Sequence, residues 1–269
     1  MKFLPVLLLL ALFSLPTFAQ YPLVLQGHAH NDYKHKRPLL DALDAGFMSV
    51  EADVFLRDGK ILVAHTVVEI KQKNTLQRLY LDPLKERIKQ NGGKVYAKGP
   101  MEFELMIDLK DGGPEMMKAL REQLAPYQDM LTVYKNGVKT TGAVRIVLSG
   151  GQSPHDFKND TLRLFSSDGG LPNFDTALDS SLVPRVSASY RDLFTWKGKG
   201  EMPAAEKQQL QEMMDRAKQY GRKSRLWATP NVEAVWKEQM DAGQYWINVD
   251  DLKGFRKFYL KYTGQKEGQ

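Results

Sequence analysis

The stretch Phe47-Met48-Ser49-Val50-Glu51-Ala52-Asp53-Val54-Phe55-Leu56 decides how this chain is read. Successive residues of a strand point to opposite sides, so Val50, Ala52 and Val54 share an apolar face while Glu51 and Asp53 share the other. Such a strand needs helices packed on one side and a setting that tolerates charge on the other. The rhythm recurs outward from it. Apolar runs at 22–27, 103–110, 144–149, 161–165, 185–189, 224–229 and 245–249 read as strands. Helical periodicity covers 38–45, 75–90, 115–125, 204–220, 232–242 and 252–262. Strands alternating with helices pair in parallel through right-handed crossovers.

Eight strands in a chain of this length predict an α/β fold, a single (β/α)8 TIM barrel, whose usual size is about 250 residues. The open doubly wound sheet is the competitor, and the glycine-rich loops that often mark it, GxGxxG and GxxxxGK[ST], do not occur. Arg57-Asp58-Gly59-Lys60 and Lys135-Asn136-Gly137 predict tight hairpin turns decorating the scaffold.

Composition narrows the chemistry. The 269 residues contain no cysteine, which excludes disulfides, thiolate metal sites and a cysteine nucleophile. Lys2, an apolar run over 3–15, and Thr17 and Ala19 before Gln20 predict a cleavable signal peptide at 1–19. The barrel domain then fills 20–269, in a protein expected to be exported, periplasmic or secreted. No later apolar stretch is long enough for a transmembrane helix, which takes about 20 residues. The formal charge of +6 mildly favours anionic partners. No basic block or aromatic-interleaved basic stripe points to nucleic acid.

In a barrel of this kind the chemistry sits at the C-terminal strand ends. Those ends carry Gly27-His28-Ala29-His30-Asn31-Asp32, Glu51-Ala52-Asp53, His65 after a short hairpin, Asp108-Leu109-Lys110, Trp227, and Asn248-Val249-Asp250-Asp251. Glu51, Asp53 and Asp108 would repel one another inside a packed barrel. A bound divalent cation relieves that cost, and all-oxygen ligands suit Mg²⁺ or Ca²⁺; pairing with buried Arg or Lys is the alternative. His28, His30 and His65 flank the acids in sequence and supply a general acid and a general base around the cation, as phosphodiester cleavage requires. His35 and His155 read as surface residues. No G-x-S-x-G nucleophile elbow occurs. A zinc hydrolase using His28 and His30 is a rival, although the later strands offer no further histidine.

These residues resemble a known family. His28 and His30, Gly46, Glu51-Ala52-Asp53-Val54, Asp58-Gly59 and Leu62-Val63-Ala64-His65 are similar to the N-terminal signature of the glycerophosphodiester phosphodiesterases, within the phospholipase-C-like phosphodiesterase superfamily of TIM barrels. Met106-Ile107-Asp108-Leu109-Lys110, Arg225-Leu226-Trp227-Ala228-Thr229 and Ile247-Asn248-Val249-Asp250 match downstream. The run His28-Ala29-His30-Asn31-Asp32-Tyr33 with Ser49-Val50-Glu51-Ala52-Asp53 resembles most the altered inheritance of mitochondria protein 6 group. The H-R-G and P-E-N-T elements of glycerophosphodiesterases are missing, while Asp108-Leu109-Lys110 is similar to the L-D-L-K of the sphingomyelinase D branch.

The resemblance implies a metal-dependent phosphodiesterase acting on a phospholipid or glycerophosphodiester-type small substrate, with peripheral membrane contact open. Glu51, Asp53 and Asp108 would bind one Mg²⁺ or Ca²⁺. His65 and one of His28 or His30 would be the acid/base pair: His28 fits by the Gly-His match, His30 by its distance to Gly46. Lys110 would stabilise phosphorane-like charge, Trp227 would line the pocket, and Asn248 would contact phosphate or hold a histidine. Attack by a substrate hydroxyl would give a cyclic phosphate, the lyase outcome. A barrel that binds phosphorylated ligands without turning them over is the non-catalytic alternative.

Overall fold

A computed structural model describes residues 22–170 and 178–266. The first half runs β1 (Val24–Ala29), α1 (Leu40–Asp44), β2 (Phe47–Arg57), β3 (Lys60–Val63), α2 (Asp82–Gln90), β4 (Phe103–Leu109) and α3 (Pro114–Leu124). Then come β5 (Val133–Lys135), β6 (Val138–Thr140), β7 (Val144–Gly150), β8 (Leu162–Arg163), β9 (Ser166–Gly170), β10 (Arg185–Ser189) and α4 (Tyr190–Leu193). The chain ends with α5 (Ala204–Gln219), β11 (Lys223–Trp227), α6 (Glu233–Asp241), β12 (Trp246–Val249) and α7 (Leu252–Thr263).

Eight of these strands pair in parallel in the order β1-β2-β4-β7-β9-β10-β11-β12, and β12 returns to β1, closing the barrel. The apolar face read from β2 packs outward against the helices: Val50, Ala52 and Val54 are fully buried, as are Leu105 and Ile107 on β4. Phe255 of α7 seals one flank, its ring 6.0 Å from Phe47 and 5.2 Å from Trp236. Each such burial is worth about 1.5–3 kcal/mol.

Both expected hairpins form. β2 folds back onto β3 with Val54 opposite Val63, through Asp58 (φ 50°) and Gly59 (φ 71°). Consecutive left-handed residues make the turn whose twist matches antiparallel strands, which is why an Asp-Gly pair sits there. The second turn, Asn136 (φ 50°) and Gly137 (φ 79°), joins β5 to β6.

One strand is displaced from its expected position. The apolar run 161–165 is not the fifth barrel strand; Leu162 and Arg163 pair with β5 in a small antiparallel sheet. The fifth position belongs to β9, Ser-Ser-Asp-Gly-Gly. Gly169 fits because a Cβ there would come within 2.8 Å of Val183. Close packing selects small residues at β9 where hydrophobicity favours its neighbour.

The barrel interior is ionic. Arg185 Nη1 donates to Glu104 Oε1 at 2.7 Å with both side chains buried, and Lys223 Nζ lies 3.3 Å from Glu104 Oε2. Above them Asp168 Oδ2 lies 3.8 Å from Arg185 and 3.9 Å from Arg225. Buried charges persist only when paired in this way.

Candidate active site

At the C-terminal ends of the strands opens a cleft of about 700 Å³. Glu51 and Asp53 of β2, Asp108 of β4, Lys110 just beyond it, His30 after β1 and His65 after β3 all line it, as does Trp227, 40% exposed at the end of β11. The hairpin explains His65. β3 runs back down beside β2, and Ala64 N donates to Asp53 O, so the next residue meets the acids. Parallel register places Asp53 level with Asp108, and Asp108 level with Ser149. Gly150 permits that approach, since a Cβ on it would stand 2.9 Å from Asp108 Oδ1 and its φ is +75°.

His65 and His30 share one arrangement. His65 Nδ1 is 2.9 Å from Asp53 Oδ2, and His30 Nδ1 is 2.7 Å from Asp250 Oδ1. A carboxylate on Nδ1 fixes the ring and keeps the proton on that nitrogen, leaving Nε2 for proton exchange. Asn231 Nδ2 steadies Asp250 by donating to its other oxygen at 2.6 Å. Burial pushes the Asp250 carboxyl up, but the hydrogen bonds from His30 and Asn231 and the nearby His30 and Lys34 charges together hold it below the usual value.

His28 differs. It is fully buried, its Nδ1 lies 2.7 Å from Ser49 Oγ, and it is not among the cleft residues. Burial, then the nearby Arg185 and Arg225 charges, push its pKa well below the usual histidine value. The two rings differ at Nδ1, Ser49 for His28 and Asp250 for His30, while both Nε2 atoms turn toward Glu51 Oε2, at 3.9 and 3.6 Å; among the described residues they complete no group of three ligands that a zinc site would need. Asn248 is also buried below the cleft, where its Oδ1 accepts from Arg225 Nε at 2.8 Å. His35 is half-buried rather than a free surface residue, its Nδ1 3.0 Å from Asp32 O. His155 is exposed as expected.

The acids are partnered by cations of the chain. Lys110 Nζ donates to Asp53 Oδ2 at 2.7 Å and to Asp108 Oδ2 at 2.6 Å. Arg225 Nη2 is 3.3 Å from Glu51 Oε1, and Asn31 N donates to Glu51 Oε2 at 3.2 Å. Burial raises Glu51, yet Arg225 and its neighbours bring it below the usual carboxylate range. For Asp53, burial and then the Glu51 charge prevail, and its pKa is raised. Among the described residues no three His, Asp or Glu side chains gather as a finished metal cage. The donor chemistry nonetheless suits a hard divalent cation, because Asp53 and Asp108 already share one positive charge between two carboxylate oxygens.

Several residues in or beside the cleft had no role assigned from the sequence. Tyr33 donates to Asp53 Oδ2 at 2.8 Å and lies 3.0 Å from His65 Nδ1, tying the β1 loop to the acids. Ser149 donates to Asp108 Oδ1 at 2.5 Å, and Ser187 to Asp168 Oδ2 at 2.6 Å. Arg191 and Arg225 add positive charge to the lining. A signal existed: Arg185-x-Ser187-x-Ser189 and Lys223-x-Arg225 place polar residues at every second position, which marks an inward face that is not apolar.

Comparison with known proteins agrees with this architecture. Residues 20–165 match the family model described as an AIM6-like phosphodiesterase domain. Altered inheritance of mitochondria protein 6 of Eremothecium gossypii is 30% identical over 88% of this chain and 70% of its own length. The Arthroderma benhamiae homologue is 25% identical over 86% of this chain and 83% of its own. A crystal structure of a glycerophosphodiester phosphodiesterase from Parabacteroides distasonis shares the fold, with a TM-score of 0.52 at 14% identity, covering 88% of this chain and 98% of that one. Fold and family model together define a phosphodiesterase-type TIM barrel. The chain belongs to the AIM6-like phosphodiesterase family.

These relatives correct one expectation, that of an exported, periplasmic or secreted protein. Their names tie them to the inheritance of mitochondria, an organelle association rather than secretion. The expected leader at 1–19 lies outside the described residues. Among the described residues no helix is long and apolar enough to cross a membrane.

Proposed function

We propose that this cleft cleaves a phosphodiester bond in a phospholipid or glycerophosphodiester-type substrate by two-histidine acid/base catalysis, with His30 and His65 as the pair. The observation that carries the reading is the shared arrangement of these rings, each held at Nδ1 by a carboxylate beside a cluster of acids and cations. One ring takes the proton from the attacking hydroxyl or water, and the other returns a proton to the leaving oxygen. Lys110 and Arg225 carry positive charge at the cleft and offset charge that develops on the phosphoryl oxygens. Tyr33 fixes His65 through their shared partner Asp53.

Glu51, Asp53 and Asp108 are the residues that would hold Mg²⁺ or Ca²⁺. That cation would supply Lewis acidity toward a phosphoryl oxygen. Trp227, half exposed at the rim, offers an apolar face to the part of the substrate beyond the phosphate.

The test is ³¹P NMR of lysophospholipid, glycerophosphodiester and phosphoinositide substrates with Mg²⁺. Turnover that disappears in His30→Ala and His65→Ala at intact folding supports the reading, and a cyclic product would identify hydroxyl attack. Absence of turnover on every phosphodiester tried, with either Mg²⁺ or Ca²⁺, would leave a non-catalytic ligand-binding barrel instead.

A further inference from the structure

Directly after His65 the chain exposes two aliphatic side chains at the cleft rim. Val68 is 93% exposed and Val67 57%, in a short 3-10 turn spanning Val67–Glu69. This is no frayed loop. Thr66 and Glu69 form a reciprocal capping box, and Glu69 Oε2 accepts from His65 N at 3.2 Å and Thr66 N at 3.0 Å. A rigid turn that holds two valines in water forgoes burial that a relaxed loop could recover. Ile70 behind it is partly buried, and Lys71 and Lys73 follow, both exposed.

Lysines flank the valines in sequence, and one from another loop reaches the turn. Lys34, in the loop after β1, is exposed and close enough to Glu69 and Asp250 to act on both carboxylates. Lys36 beyond it is exposed too. An apolar tip flanked by lysines beside a reactive cleft matches an anionic lipid surface, into which the tip inserts while the ammonium groups meet the headgroups.

We infer that the turn Thr66-Val67-Val68-Glu69, flanked by Lys34, Lys71 and Lys73, is a docking site for a bilayer carrying anionic lipid, and that it presents the cleft to that surface. Val68 is 93% exposed, and His65 is held through Asp53 and Tyr33 rather than through either valine, so docking is separable from chemistry. The inference rests on the proposed function only for its purpose, because binding is measured without turnover.

The experiment is flotation of the protein with phosphatidylcholine vesicles, with and without phosphatidylserine, comparing wild type, Val68→Asp, Val67→Ser and Lys71→Glu/Lys73→Glu. Wild type should bind vesicles containing phosphatidylserine and release them in high salt. Val68→Asp should weaken binding about tenfold or more, and the lysine pair variant by a similar factor. Turnover of any water-soluble phosphodiester should stay at the wild-type rate in Val68→Asp. Wild type that ignores anionic vesicles, or Val68→Asp that binds them as well as wild type, overturns the inference. So does a dimer in analytical ultracentrifugation that Val68→Asp dissociates, since the turn would then meet a second copy of the chain. Absence of turnover of every phosphodiester by wild type, with vesicle binding intact, would overturn the proposed chemistry and leave the docking site standing.

Discussion

Lys110 Nζ lies 2.7 Å from Asp53 Oδ2, and the same ammonium reaches Asp108 at 2.6 Å. One side chain thus bridges the ends of two neighbouring strands. Burial works against its charge, but the two carboxylates raise its pKa above the ordinary lysine value. If Asp53 and Asp108 were to hold a divalent cation, this ammonium would compete with it for their oxygens.

Replacement of the lysine separates the two roles. In Lys110→Met the acids lose their bridging cation, and the fold should be less stable without divalent metal by about 2 kcal/mol, or about 5 °C in Tm. Added Mg²⁺ or Ca²⁺ should stabilise the variant more than wild type, because no ammonium competes for the oxygens. Thermal unfolding with and without metal reads both effects. Equal metal-induced shifts in the two proteins would show that the ion binds elsewhere.

Asp250 provides a test of how His30 is oriented. In Asp250→Asn the carboxylate on Nδ1 becomes an amide that can donate as well as accept, so the ring loses its preference for a proton on Nδ1. Turnover should fall about a hundredfold or more, with KM changed little and folding intact. Steady-state kinetics decide, and a variant within about threefold of wild type would remove His30 from the acid/base pair.

The stretch around β2 announced both the barrel and its acids because its two faces differ in polarity, one packing on helices and the other lining the interior. Helices α2, α3, α5, α6 and α7 were legible for the same reason, their apolar stripes lying against the sheet. What stayed hidden was long-range. Ser166–Gly170 carries no hydrophobic signal, yet it takes the fifth barrel position and brings Asp168 to the cleft. Which of His28 and His30 lines the cleft was likewise closed to spacing, and the partner that holds His30 there, Asp250, lies 220 residues away in the chain.

Two buried groups should set opposing acid responses. The pKa of His28 is lowered by burial, so below pH 6.5 the unfolded chain binds the extra proton and stability falls with acidification. Asp32 is pushed up to about 6, by burial first, so between about 6 and 3.8 the folded chain binds the extra proton and stability rises with acidification. The limiting slope of each is about 1.4 kcal/mol per pH unit. Relative to wild type, Asp32→Asn should steepen the loss of stability toward acid between pH 6 and 4, and His28→Asn should lessen it. Urea unfolding across that range measures both, and unchanged slopes in the two variants would show that neither group carries the response.

The ionic interior makes a last prediction about stability. Arg185 and Glu104 are paired at 2.7 Å with side chains 0% and 2% exposed, so removing either leaves the other charged and buried. Arg185→Met should cost about 3–5 kcal/mol, and Glu104→Met a similar amount. The double variant removes both charges and fills the space with apolar volume. It should be more stable than the sum of the single losses requires, with a coupling of about 1–3 kcal/mol. Lys223 limits the recovery, because it too gives up its bond to Glu104. Arg225 should still hold Glu51 and Asn248, so the double variant should keep its cleft and lose stability rather than turnover. Urea unfolding of the four proteins gives the coupling directly, and strictly additive losses would mean that the two side chains act independently despite their contact.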